Sequence, residues 1–392
     1  MKRYLLSGRA WVVAGSATLL ASCQVVPNTG TSSTGPVAGP TPEPSATALP
    51  TDETRHRIAL LVPLNGNNGA VGQSISNATT MALLDTNAEN LRITTYDTSA
   101  DAGNAAARAV ADGNTLILGP LLASNVSAAR VETRRSGVPI ISFSNDTTVA
   151  ASGVFVMGHI PEQSVSRTVR YAQKKGATSF AALAPNGDYG DRSMAALNNV
   201  LRGFDGSLAS SERYDRGNVS IANAARRLRA RGGYDAVLIA DGAMLATQAA
   251  VALKEETSEQ PAADTQILGA ELWSGESALT RPAAMRGALF SAVSDARFKN
   301  FSDSYEERFG GKPYRISTLG YDAVLLTLRV SRDWRIGSRF PQSELRSDGG
   351  FLGLDGPFRF GLDGVIQRAM EVREVRNGQV VIVDQAPTRF ND

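Results

Sequence analysis

The chain has 392 residues, of which 42% are hydrophobic and 20% charged, the composition of a soluble globular protein with room for two cores. Its formal net charge is +2, and removal of an acid-free leader carrying Lys2, Arg3 and Arg9 would leave +2 − 3 = −1. That balance provides no basic field for nucleic acid, and a single cysteine excludes a disulfide within the chain.

Lys2, Arg3 and Arg9 form a positive n-region, and Ala10 to Ala21 is apolar or small throughout. That stretch has the length of a signal-peptide h-region and is too short to span a bilayer. It ends Leu20-Ala21-Ser22-Cys23, which resembles the bacterial lipoprotein signal. The resemblance implies a signal peptide over residues 1–22 and lipidation of Cys23. Gln24 stands where an aspartate commonly retains such proteins at the inner membrane, so the resemblance also implies the outer membrane. From Val25 to Arg55 the chain is rich in Pro, Gly, Ser and Thr and poor in large apolar residues. Such a segment cannot bury a core, and residues 23–56 are expected to be a disordered, lipid-anchored tether. As a flexible coil its ~31 residues span roughly 30 Å.

Ile58 to Val62 is a short apolar run closed by Pro63, the mark of a strand buried on both faces. A polar loop, Asn65 to Gly69, separates it from a helix whose apolar positions include Ile75, Ala78, Ala82 and Leu83. The unit then repeats. Strands are predicted at Leu91–Tyr96, Thr115–Leu118, Val138–Ser142 and Val154–Met157, with helices at Asn104–Ala111 and Ser124–Arg135. The pattern restarts with a helix at Pro161–Lys175, where proline suits the first turn. Strands at Ser179–Leu183, Ser207–Glu212, Ala236–Ala240, Gln266–Leu268 and Ala288–Val293 follow, with helices at Asp191–Leu201, Val219–Arg231 and Gly242–Glu255. Two further helices are predicted at Phe298–Phe309 and Thr318–Val330. Strands alternating with helices imply parallel βαβ units, an α/β fold with ligands held at the carboxyl ends of the strands. The end of the chain changes character. Phe351–Phe360 and Gln367–Val375 alternate around Gly361-Leu362-Asp363-Gly364, a hairpin signal, and Gln379–Val383 adds a strand.

Taken together, HRIALLVPLNGNNGAVGQSISNATTMAL, TYDTSAD, TLILGPLLASNV, GVPIISFSNDTT and LAPNGDYGDRSMAAL resemble type I periplasmic binding proteins, nearest the Leu/Ile/Val-binding group. The resemblance implies a two-lobed fold, each lobe a mostly parallel sheet flanked by helices, with the antiparallel hairpin added at the C-terminus. Residues 57–158 plus 294–348 would form the first lobe and 159–293 plus 349–387 the second. It further implies an interlobe ligand site. Tyr189 in NGDYG and Glu271 in LGAELW match the family's tyrosine and its ammonium-binding acid, and Asp241 falls at another cleft position. Ser124, Ser144, Asn145 and Asp146 fall near the family's carboxylate-binding hydroxyls, although Ala123 occupies the usual serine position and Asp146 would repel a carboxylate. Asn65 and Trp273 complete the candidate set.

LGAELWSGESALTRPAAMRGALFSAV and VVIVDQAPTRF also resemble lipoproteins described as penicillin-binding-protein activators, which reuse this fold. Two functions therefore stand open. One is capture of an amino acid or related solute for an ABC permease; the other is activation of a peptidoglycan synthase. Of four arginines on the C-terminal strands, Arg359, Arg368, Arg373 and Arg376, alternation points some outward, as a plain solvated face or, in the second case, as a surface for an acidic partner. Neither function is enzymatic. No G-x-S-x-G elbow is present, and His56 and His159, far apart, cannot build a zinc site. Gly66, Gly69 and Gly72 follow a strand, but their spacing is not that of a dinucleotide fingerprint, so no cofactor is expected.

Overall fold

The computed structural model describes Asp52 and residues 54–256, 264–388 and 390. The signal segment 1–22, Cys23 and most of the tether lie outside the described residues. Strand β1 (His56–Val62) takes the apolar run and two residues before it. His56 is 3% exposed and stacks on Trp334 at 3.8 Å, so the tether ends before His56 rather than after it.

Helix α1 (Gly69–Asp85), β2 (Leu91–Asp97), α2 (Ala102–Ala111), β3 (Leu116–Leu118), α3 (Ala123–Ser136), β4 (Ile140–Ser142) and β5 (Val154–Val156) complete the first sheet and its covering. The strands run β2-β1-β3-β4-β5, every pair parallel. Strands apolar on both faces need helices over each. Ile58, Leu60 and Val62 meet Ile75 and Ala82 of α1, while Ala59 and Leu61 meet Ala105, Ala106 and Ala109 of α2 and Val126 and Ala129 of α3.

Packing accounts for the first glycine series. A Cβ on Gly72 would lie 1.7 Å from the Pro63 carbonyl oxygen, and one on Gly69 would lie 2.9 Å from that of Leu64. The helix start is pressed onto the end of its strand, and only glycine permits that approach. Gly190 stands in the same relation to Pro185, 1.9 Å away, at the matching point of the second lobe.

That lobe is built from α4 (Pro161–Lys174), β6 (Ser179–Pro185), α5 (Asp188–Leu201), β7 (Ser207–Tyr214), α6 (Asn218–Arg231), β8 (Ala236–Ile239), α7 (Ala243–Lys254), β9 (Gln266–Gly269) and β10 (Leu289–Ala292). Helix α5 starts at Asp188 instead of Asp191, which places Tyr189 in its first turn. The chain then returns to the first lobe. In α8 (Phe298–Phe309), Phe301 and Tyr305 pack on Ala78 and Met81; in α9 (Thr318–Ser331), Leu319, Ala323 and Val324 join the Ile58 core.

The C-terminal part departs from the expected single hairpin. Its first run folds on itself as β11 (Phe351–Gly353) and β12 (Gly356–Phe360), joined by a two-residue turn, Leu354-Asp355, with Gly356 at φ +90° opening the second strand. Strand β13 (Ile366–Arg368) pairs back on β12 across the anticipated turn. These three strands belong with the first lobe, since Phe358, Phe360 and Ile366 are buried against Phe155, Val156 and Leu319. Only β14 (Glu371–Arg376) and β15 (Gln379–Asp384) join the second sheet, whose order is β15-β14-β10-β9-β8-β6-β7 with β14 antiparallel to both neighbours. Assigning all of 349–387 to the second lobe is corrected accordingly. The chain passes between lobes near Met157–Ile160, Val293–Arg297 and Ala369–Met370.

Candidate functional site

The carboxyl ends of β6, β8 and β9 carry the polar groups of the second lobe toward the first. Tyr189, in the first turn of α5, donates its hydroxyl to Glu271 Oε1 at 3.1 Å. Glu271 opens a short 3-10 turn, Glu271–Trp273, directly after β9. Parts of the residue remain accessible, yet its second oxygen, Oε2, is sealed from solvent and has no hydrogen-bond partner. Burial pushes the carboxyl up to about 7, against the opposing effects of a backbone N–H and the Tyr189 hydroxyl. Beside it is a cavity of about 20 Å³ lined by His159, Glu271, Ser274, Arg315 and Met370 among others, room for one water-sized group. A buried carboxylate oxygen without a partner is costly. The site is arranged to receive a proton or a cationic hydrogen-bond donor.

Asp241 lies close by but is already engaged. It accepts from Tyr214 Oη at 2.9 Å, Arg216 Nε at 3.2 Å and the Gly242 N–H at 2.8 Å. Trp273 is 0% exposed. Its indole N–H donates to the Asp241 carbonyl at 2.9 Å, and its ring packs 5.8 Å from Phe290. A Cβ on Gly269 would come within 2.3 Å of that ring. The geometry gives Trp273 a packing role under the site rather than a stacking face in it.

On the first lobe the expected residues are differently occupied. Asn65 donates to Asp97 at 2.7 Å. Ser124 is exposed on α3, and among the described residues no hydrogen bond joins it or Asn65 to the Tyr189–Glu271 group. Ser144 is buried, and its oxygen accepts from the Asp146 N–H at 3.1 Å. The Asp146 carboxylate caps the next turn, accepting from the Thr148 N–H and hydroxyl at 2.9 and 2.8 Å. Asn145 contributes its backbone: its carbonyl accepts from Arg192 Nη2 at 2.5 Å. Arg192 also holds Glu162 through two bonds of 2.6 and 2.7 Å. It thereby ties the second lobe to the first beside Glu271, whose ionisation both Arg192 and Glu162 influence.

Arg192 escaped the sequence reading. Its signal was helical spacing, since it follows Tyr189 by three residues on α5 and shares its face.

The crossovers hold a second group the sequence did not announce. Asp355, 1% exposed, accepts from Arg315 Nη1 at 2.7 Å and Thr318 Oγ1 at 3.1 Å and pairs with His159 Nε2 at 2.7 Å. Arg368 lies 3.6 Å away and donates to the Met157 carbonyl at 2.8 Å. Burial would raise the Asp355 pKa, but Arg315, His159 and Arg368 outweigh it and hold the carboxyl well below the usual range. Burial pushes His159 down, Asp355 opposing it. Asp322, buried beside Asp355, is pushed up by burial and then by that neighbouring charge.

These pairings remove the basic docking surface read from the C-terminal strands. Arg368 is buried, and Arg373 is buried against Glu371 at 2.7 Å, the Val293 carbonyl at 2.7 Å, and Asp295. Arg376 is paired with Glu374 at 2.7 Å, and Arg359 packs over Phe390 at 5.0 Å.

Residues 56–379 match the family model described as periplasmic binding protein. The chain belongs to the periplasmic binding protein family. Among solved structures of similar fold is one from Rhodospirillum rubrum assigned as a branched-chain amino acid ABC transporter, with TM-score 0.73 and 20% identity, covering 84% of this chain and 100% of its own. LpoA of Haemophilus influenzae has TM-score 0.65 and 19% identity, covering 86% of this chain and 59% of its own. In sequence, the chain is 30% identical over 173 residues to an uncharacterized protein of Rickettsia prowazekii, 44% of this chain and 46% of that one. It is 25% identical over 164 residues to the penicillin-binding protein activator LpoA of Photobacterium profundum, 40% of this chain and 26% of that one. These alignments span less than half of either curated relative. The family's two-lobed architecture is the one observed, with parallel sheets flanked by helices and added antiparallel strands.

Proposed function

We propose that this periplasmic binding protein captures a small solute carrying a protonated amine, an amino acid or a relative of one, in the interlobe cleft. The observation that carries the reading is Glu271, a carboxyl with one oxygen held by Tyr189 and the other sealed without a partner. An ammonium group supplies the missing donor and favours the ionised form. Arg192 would then act as the clasp that re-forms across the lobes when they close. A solute caught in this way would pass to an ABC permease.

The ligand's other end is less provided for, because the Ser144 hydroxyl and the Asp146 carboxylate already serve local turns. That favours an amine whose recognition centres on Glu271. Calorimetry with amino acids and simple amines tests the proposal. Glu271→Gln should weaken binding by about 1.5–3 kcal/mol, the range for a hydrogen bond to a charged group. With Glu271 near 7, an amine that stays protonated should bind wild type about tenfold more weakly at pH 6 than at pH 8, as the carboxylate takes up its proton. The glutamine variant should be flat over that window. If no amine binds, and the purified chain stimulates a peptidoglycan synthase, the assignment moves to the activator reading that the likeness to LpoA supports.

The proposed location is the periplasm, at the outer membrane, through a lipid on Cys23. Its support is the Leu20-Ala21-Ser22-Cys23 signal, with the fact that no helix among the described residues is long and apolar enough to cross a membrane. Cys23→Ala should move the protein from the membrane fraction to the soluble periplasmic fraction, and retention of the variant in the membrane would remove the anchor.

A further inference from the structure

A basic groove on the first lobe lies away from the cleft. Two adjoining hollows, of about 330 and 140 Å³, share the side chains of Arg130 and Arg134 on α3. Val138, Gly153 and Val154 line the larger one at the amino ends of β4 and β5, whereas Glu271 and Tyr189 follow the carboxyl ends of strands in the other sheet. The remaining polar lining consists of hydroxyls and an amide: Ser127, Thr133, Thr148, Ser152 and Gln342. No carboxylate lines either hollow. The nearest carboxylate, Asp146, stands behind Thr148 and is occupied by that residue's N–H and hydroxyl, at 2.9 and 2.8 Å; Glu132 and Glu344 are exposed, and none of the three lines either hollow.

The two guanidiniums are spaced i, i+4, so they face the same side of the helix and repel one another. Part of that repulsion is offset at Arg134 by the helix C-terminus. Arg130 sits further in, and its Nε is sealed from solvent without a hydrogen-bond partner. A third arginine, Arg339, brings its guanidinium to the rim, 3.8 Å from where a Cβ on Gly137 would stand. Arg130 is half-buried, and Arg134 and Arg339 are exposed. Two other half-buried arginines are matched with carboxylates, Arg192 with Glu162 and Arg315 with Asp355. Three cations beside hydroxyls, with no ion pair to a carboxylate among the described residues, describe a seat for an anion. The planar fork of arginine suits phosphate oxygens in particular.

We infer that this groove binds a phosphorylated ligand, clamped between Arg130 and Arg134, at a site separate from the interlobe cleft. The inference does not depend on what the cleft binds. The ligand's phosphate belongs either to a soluble molecule or to a lipid headgroup, and two probes separate these sources. Inorganic pyrophosphate is titrated into the full-length protein by calorimetry. Vesicles of phosphatidylglycerol with phosphatidylcholine, and of phosphatidylcholine alone, are tested by co-sedimentation. Arg130→Gln should weaken the bound probe at least tenfold, and Arg130→Gln with Arg134→Gln should abolish its binding. Arg281→Gln, at an exposed arginine of the second lobe, should change nothing. Thermal melts of each variant confirm that the fold is retained. Arginine-dependent binding of pyrophosphate assigns a soluble ligand. Dependence seen only with the anionic vesicles assigns a headgroup. If neither probe binds, or if the double variant and Arg281→Gln bind as wild type does, the inference is overturned.

Discussion

Replacing Asp355 by alanine is expected to destabilise the protein by about 3–5 kcal/mol, the cost of removing one partner from a buried ion pair. The carboxylate is the common acceptor for Arg315, Thr318 and His159, with Arg368 at 3.6 Å. Its loss leaves two buried guanidiniums close together, one of which, Arg368, already has Nε and Nη1 without hydrogen-bond partners. Chemical denaturation of wild type and Asp355→Ala measures the difference. The pH dependence adds a second check. Because its folded-state pKa is depressed, Asp355 contributes in full above the unfolded carboxyl's value near 4, and that contribution fades as pH falls below it. The wild type should therefore lose stability on acidification below about pH 4 more steeply than the variant. A change under 1 kcal/mol would show that the cluster is solvated and that the crossovers are held by something else.

Trp273→Ala is the second large effect, a loss of about 3–5 kcal/mol for emptying a fully buried tryptophan site. At roughly 2–4 °C per kcal/mol, the midpoint of thermal unfolding should fall by about 6–20 °C. The ring fills the space above Gly269, touches Phe290 and holds the Asp241 carbonyl. Packing and ligand stacking predict different outcomes. A packing residue lowers the melting point with no ligand present. A stacking residue would leave it unchanged and reduce affinity alone, and that result would return Trp273 to the binding surface.

The sequence by itself determined the order of elements and the family. Short apolar runs such as Ile58–Val62 and Ala236–Ala240 can be buried only in a sheet covered on both faces, and Gly72 and Gly190 mark where helices press onto strand ends. Tyr189 and Glu271 were singled out by the resemblance to the family, in NGDYG and LGAELW, and the pattern of runs alone placed them only beside strand ends. Local sequence could also have announced the turn at Leu354-Asp355, since the Asp-Gly pair that closes it marks a hairpin where alternating residues flank it. What it could not announce was which lobe each C-terminal strand would join. That choice was settled by Phe358, Phe360 and Ile366 finding the first lobe's core and by Glu371 to Arg376 finding the free edge of β10. The fate of the charged residues was likewise a tertiary decision. An arginine in a strand reads the same whether it faces water or, as Arg373 does, an acid 78 residues away. Only the fold brought Arg368 from the last strands to Met157 and His159 to Asp355, and set Arg130 and Arg134 in hollows whose lining holds no carboxylate among the described residues. Hydrophobic periodicity is local and survives in one dimension, whereas charge pairing is a matter of distance in three.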